Sequence, residues 1–164
     1  DLSELCALER TCFEPDDVFP RRQLRELIHN ERAIFRVVEV NGLMAGCCIG
    51  RVRRHRRHWS GRIYDVAVNP AYRGRGLGKM LTQHVLGELC RLQVHRVFLE
   101  VRADNDVAIR LYRSLGFQFA RPLPDYYGHG IHGQSMRLAI GLLEEAPLFA
   151  PQEDATNPGS CGRG

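Results

Sequence analysis

Apolar positions recur at helical spacing from Asp1 to Cys12, where Leu2, Leu5, Leu8 and Cys12 fall on one side. Pro20 opens a second helical pattern that carries Leu24, Leu27 and Ile28. The period then changes. Ala33 to Val40 and Leu43 to Arg53 are β-rich runs joined by Asn41-Gly42, a strong signal for a two-residue hairpin turn. Ile63 to Val68 reads as a third strand. Leu77, Leu81, Val85, Leu89 and Leu92 then mark the buried face of a longer helix, and Val97 to Val101 a second core strand. A helix of that length between two strands makes them parallel neighbours with a right-handed crossover. Asp104 or Asn105 caps the next helix, whose face is Ala108, Leu111, Tyr112 and Leu115 and which Gly116 ends. Strands near Phe117 to Arg121 and Gln134 to Ile140 complete the pattern.

Periodicity fades beyond that point. Glu144 to Gly164 carries Pro147, Pro151 and Pro158 with small residues near Gly159 to Gly162, so residues 1–141 read as one domain and 142–164 as a flexible tail. The chain has 164 residues, 44% of them hydrophobic, enough for one domain with a real core. No run approaches the roughly 20 apolar residues of a membrane helix. Six cysteines without a C-x-x-C pair resemble neither a disulfide framework nor a zinc site. Reduced thiols, a cytoplasmic setting and no metal are expected.

Charge changes the picture little. The most basic stretch, Arg51 to His58, is expected to cap the hairpin between the second and third strands. With Trp59 the only nearby aromatic and a net charge of +4, a solvated turn is favoured over a nucleic-acid surface.

The chemistry concentrates between Ile63 and Leu81. A strand runs into Asn69-Pro70, then Arg73-Gly74-Arg75-Gly76-Leu77-Gly78-Lys79 opens a helix. Glycines at a helix N-terminus let several backbone N–H groups converge on one anion, and Arg73, Arg75 and Lys79 add positive charge there. A nucleotide P-loop is excluded, because Met80 follows Gly78-Lys79 where Ser or Thr would reach a metal ion. The dinucleotide fingerprint is weakened but stays open: Gly74 and Gly76 fit, Lys79 stands at the third glycine, and Glu100 offers a ribose acid.

Arg73, Gly76 and Gly78 do fit Arg/Gln-x-x-Gly-x-Gly/Ala. With Leu99-Glu100-Val101-Arg102, Asn105, Ala108-Ile109, Leu111-Tyr112 and Leu115-Gly116-Phe117, the chain resembles the general N-acetyltransferase (GNAT) superfamily, and within it the bacterial ribosomal-protein alanine N-acetyltransferases. The resemblance runs from about Asp1 to Leu138. It implies an α/β fold with a mixed, mostly antiparallel sheet, a splayed parallel strand pair and flanking helices, and it implies that the family's first strand is missing here. It implies acetyl-CoA as cosubstrate, bound by Val66, Ala67, Val68, Arg73, Gly74, Arg75, Gly76, Leu77, Gly78, Lys79, Asn105, Ala108 and Tyr112, with the thioester oxygen on the N–H of Val68 or its neighbour.

Glu100 then matches the family's base and Tyr112 its acid, with Asp65 in reserve as base or as part of the acceptor site. Read from the residues alone, Glu100 is equally a solvent-facing strand residue, Tyr112 a packing tyrosine and Asn105 a helix cap. Asp125-Tyr126-Tyr127, in the loop between the last two strands, matches an Asn-Tyr-Tyr whose tyrosines line a peptide groove; Asp125 departs from it. Glu14, Asp16 and Asp17 between the first two helices are expected to attract a cationic amino terminus. A peptide α-amine is therefore the expected acceptor, on a monomer or homodimer. A small-molecule amine acetyltransferase and a non-catalytic acyl-CoA-binding module remain as alternatives.

Overall fold

The computed structural model of the protein describes residues 1–54 and 59–140. Helix α1 spans Leu2–Cys12, with Asp1 capping it by accepting from the Ser3 N–H, and α2 spans Arg21–Ile28 after Pro20. Strands β1 (Ala33–Val40) and β2 (Leu43–Arg54) form the expected hairpin, and Asn41 and Gly42 take the positive φ values, 52° and 76°, of a tight turn. Then follow β3 (Trp59–Val68), α3 (Leu77–Arg91), β4 (Arg96–Arg102), α4 (Asp106–Ser114), β5 (Gln118–Gly128) and β6 (Ile131–Ala139).

The six strands form one sheet in the order β1-β2-β3-β4-β6-β5. Only β3 and β4 run parallel, as the intervening α3 requires; the other pairings are antiparallel. The sheet separates two cores. On one face Leu81, Val85 and Leu89 of α3 pack with Val97, Leu99 and Val101 of β4 and with Tyr112 and Phe117. On the other, Leu5 and Leu8 of α1 and Leu24 and Leu27 of α2 cover Cys47, Ile49 and Ala67. Each such aliphatic side chain stabilises the fold by about 1.5–3 kcal/mol on burial. Gly50 permits the close approach of α3, since a Cβ there would sit 2.4 Å from Val85.

Two expectations are corrected. The last two strands are longer than periodicity suggests: β5 runs on through Tyr126 and Tyr127, so Asp125-Tyr126-Tyr127 lies in an irregular stretch of strand between Leu123 and Gly128 rather than in a loop. Pro122 and Pro124 hid this strand, and they are tolerated because β5 is at the sheet edge. The third strand also starts earlier, at Trp59. Of the basic stretch, Arg51 to Arg54 end β2, while residues 55–58, like the tail from 141, lie outside the described residues. No described helix is long and apolar enough to cross a membrane.

Candidate active site

Between β3 and β4 the sheet opens. Gly61 pairs with Val97 and Arg62 with Phe98, and beyond them the strands part. A cavity of about 500 Å³ occupies the opening. Asp65 and Val66 reach it from β3, Glu100 from β4, Asn105, Ala108 and Tyr112 from the start of α4 and its body, and Tyr126 and Tyr127 from β5. The segment between α1 and α2 closes it with Asp16, Asp17 and Phe19. Thus residues distant in sequence and singled out for different roles meet around one space.

Glu100 reaches that space because β4 alternates. Val97, Leu99 and Val101 are buried against the α3 core, so Glu100 points to the other face. There it meets Arg62, whose Nη2 lies 2.5 Å from Glu100 Oε2, with side chains only 23% and 18% exposed. Arg62 also donates to the Tyr126 hydroxyl at 3.2 Å and stands 5.0 Å over the Tyr64 ring. Tyr126 packs edge-on against Tyr127 at 5.0 Å. Burial, first of all, pushes the Tyr127 phenol up to about 12. Sequence reasoning passed over Arg62. It lay just before the strand expected from Ile63, and its partners Glu100 and Tyr126 come from β4 and β5, so nothing local announces it.

Tyr112 belongs to the α3 side of the sheet, 8% exposed and edge-on to Phe117 at 5.8 Å. It packs in the core, as a structural tyrosine would, and also lines the cavity. Burial holds its phenol far above the usual tyrosine range, with the acidic groups Cys48 and Asp65 adding to the effect. Asn105 accepts from the Ala108 N–H at 3.0 Å, so its carbonyl is committed to capping α4 and its amide nitrogen remains for a ligand.

Asp65 is held differently. It is buried against Glu9 of α1, and Cys47 Sγ donates to its Oδ2 at 3.4 Å. Glu9 is fully buried; its Oε2 accepts from the Phe19 N–H at 3.1 Å and its Oε1 is unpartnered. Burial raises both carboxyls above the ordinary carboxylate range, and each acts on the other. Glu9 was missed, although it stands four residues after Leu5 on the apolar stripe of α1. The pair faces inward, whereas Glu100 Oε1 keeps a free face among the described residues. Of the two cavity-lining carboxylates, Glu100 is the less buried.

Ala67 and Val68, the last residues of β3, and the glycine loop beyond them lie outside the cavity lining. Gly76 is the N-cap of α3 at φ 78° with no side-chain cap, and an added Cβ would meet nothing within 4 Å. The Met80 N–H makes the first helical bond, to Gly76, which leaves the N–H groups of Leu77, Gly78 and Lys79 without a backbone partner among the described residues. An anion of pyrophosphate type fits this end, the dipole adding to the fit. Not all the expected charge is mobile. Arg73 is tied down, donating to the carbonyls of Val68 at 3.0 Å and Cys12 at 3.1 Å, and Arg75 stacks on Tyr72 at 5.3 Å. Asn69 donates to Ala45 on β2, so strand alternation turns the Val68 N–H toward the opening beside β4.

The acidic segment is likewise partly committed. Asp17 is paired with Arg102 at 2.9 Å, and Arg102 bonds Asp104 as well. Asp17 therefore fastens the segment to the end of β4 instead of offering free negative charge. Among the described residues no cluster of His, Cys, Asp or Glu suits a metal ion.

Comparisons with known proteins agree with this geometry. The chain is 35% identical over 129 residues to an uncharacterized protein of Mycobacterium leprae, covering 77% of this chain but 34% of that one, so it spans about a third of that relative's length. It is 34% identical over 119 residues to N-alpha-acetyltransferase RimI of Mycobacterium tuberculosis, covering 72% of this chain and 73% of that one. Its structure superposes on the ribosomal-protein-S18-alanine N-acetyltransferase of Escherichia coli with a TM-score of 0.76 and 29% identity, over 91% of this chain and 94% of the other. The sequence profile of the Acetyltransferase (GNAT) family matches residues 2–117, which hold the splayed strands, the glycine loop, Glu100 and Tyr112 alike, and on that match the chain belongs to this family.

Proposed function

We propose that the protein transfers the acetyl group of acetyl-CoA to the α-amine at the amino terminus of a peptide or protein. The observation that carries the reading is the single cavity at the strand opening, which joins Glu100, Tyr112 and the Tyr126–Tyr127 pair. A groove with two tyrosines at its wall suits an extended backbone better than a compact polyamine. The two relatives with an activity in their names, one an N-alpha-acetyltransferase and one acting on a ribosomal protein, support the same acceptor class.

In this reading the N–H groups at the start of α3 bind the pyrophosphate, and the unpaired edge of β3 receives the pantetheine amides. The acceptor enters from the α1/α2 face. Roughly a tenth to a sixth of α-amines are neutral near pH 7, and Glu100 removes a proton from the rest through a water held at Oε1. The amine nitrogen attacks the thioester carbonyl while the Val68 N–H stabilises the oxygen as it gains charge. The carbon–sulfur bond breaks, Tyr112 gives its proton to the departing thiolate, and the proton that the nitrogen sheds on becoming an amide passes through water to restore the Tyr112 phenol. A raised phenol stays protonated at working pH, the state an acid must be in.

The test is a panel of acceptors scored by free-thiol release: short peptides with varied first residues, polyamines, aminoglycosides and amino acids. Peptides should give the highest kcat/KM. Tyr126→Ala or Tyr127→Ala should raise the peptide KM several-fold with acetyl-CoA binding unchanged. A preference for free polyamines over every peptide would transfer the function to small-molecule acetylation. Tight acetyl-CoA binding with no turnover on any amine would leave only a binding module.

A further inference from the structure

The cavity at the strand opening does not end at the acceptor amine. Pro20, Gln23 and Tyr64 line it and also line a second groove of about 600 Å³, which runs between α2 and the ends of β2 and β3. The second groove is basic. Its acid, Glu26, is already paired with Arg22 at 2.9 Å on the outer face of α2. Arg51 lies on its floor, half-buried, with a buried Nε that has no hydrogen-bond partner and with no carboxylate in ion-pair range among the described residues.

Register explains the position. Arg51 of β2 faces Arg62 of β3 directly, so the two side chains share the α1/α2 face of the sheet. Arg62 has Glu100 as its counter-charge, and Arg51 has none. Between the grooves the Tyr64 ring is held by cations on two sides, Arg62 at 5.0 Å and Arg53 at 5.7 Å, and Arg53 also donates to its hydroxyl at 2.6 Å. A half-desolvated guanidinium facing an open groove calls for an anion, and a planar one prefers a carboxylate taken two-pronged.

Resting on the peptide-acceptor reading, we infer that this second groove is a subsite for the continuation of the acceptor chain and takes an acidic side chain on Arg51. The spacing sets which one. Glu100 lies one strand across from Arg62 and two residues along, and Arg51 lies one strand across on the opposite side. Strand spacing and rise put Arg51 at least about 12 Å from Glu100, since β3 and β4 part at that level, and about 12 Å is roughly three to four residues of extended chain. The subsite therefore reads the third to fifth residue of the acceptor, with Tyr64 as the floor over which the chain passes.

The experiment scans one glutamate through positions two to six of an otherwise neutral peptide, with the all-neutral peptide and a lysine scan as references. The wild-type enzyme should show a KM at least several-fold lower for glutamate at one position between three and five, and a higher KM for lysine there, with kcat little changed. Arg51→Met should erase that preference, keep turnover of the neutral peptide and keep acetyl-CoA binding, while Arg51→Lys should restore part of it. Added salt should weaken the glutamate preference in the wild type alone. A flat scan, a preference that survives in Arg51→Met, or competition by a single-stranded oligonucleotide but not by the acidic peptide would overturn the subsite. Turnover of the neutral peptide keeps the two readings distinguishable, because its absence refutes the peptide acceptor itself.

Discussion

At the residue scale, the two groups proposed to move protons stand in opposite environments. Glu100 is oriented by an arginine beside open space, while Tyr112 is sunk in the core with only its edge of the cavity to reach. Glu100→Gln and Tyr112→Phe should each keep acetyl-CoA affinity and lose turnover by about 10²–10⁴-fold, as general acid–base groups do. The Glu100→Gln loss should shrink at high pH, where the amine is already neutral, and initial rates across a pH series would reveal it. Full activity in both variants would move the roles elsewhere.

The buried Glu9–Asp65 pair makes a separate prediction about stability. Both carboxyls are raised in the folded state, chiefly by burial, so the fold binds a proton that the unfolded chain releases near pH 4. Stability is then fully present below that pH and declines as pH rises toward the raised folded values. Asp65→Asn should flatten this decline and raise Tm at pH 8 relative to the wild type, as thermal unfolding at several pH values would show. An unchanged slope would mean that the pair does not hold its proton.

At the scale of elements, the glycine loop and the strand opening depend on each other. The loop can present free N–H groups only because Gly76 takes a left-handed conformation just as α3 begins. Gly76→Val should cost about 1–2 kcal/mol in backbone strain, without a steric clash inside the protein, and should abolish stabilisation by acetyl-CoA. A variant that still gains Tm with acetyl-CoA would place the pyrophosphate elsewhere.

How far the elements were legible follows from how local their signals are. The Asn41-Gly42 hairpin, the α3 stripe and the Asn105 cap rest on neighbours in sequence and stand as read, except that Leu92, expected on the buried stripe, follows the end of α3 and is exposed. Glu100 and Tyr112 drew notice through a family resemblance; composition alone left each with a bland alternative. What escaped depends on distant partners. Arg62 gains its meaning from Glu100 and Tyr126, Glu9 from Asp65, and Arg73 spends its charge on carbonyls of β3 and α1. The extent of β5 was hidden by prolines that only an edge strand accepts.

On the scale of the whole molecule, the sheet divides the work between its faces. The α3 side supplies the larger core, the glycine loop and Tyr112, and the α1/α2 side supplies the second core, Glu100, the tyrosine pair and the basic groove. Under the proposed function, cosubstrate and acceptor meet through the opening between β3 and β4 from opposite faces. Such an arrangement favours direct transfer, with no acyl group stored on the protein.

The most direct measurement is fragmentation mass spectrometry of a peptide that carries both a free α-amine and an internal lysine, after incubation with the protein and acetyl-CoA. The account predicts one acetyl group, on the nitrogen of the first residue, formed by the wild type and lost in Glu100→Gln. Acetyl on the lysine side chain with the amino terminus untouched would contradict it.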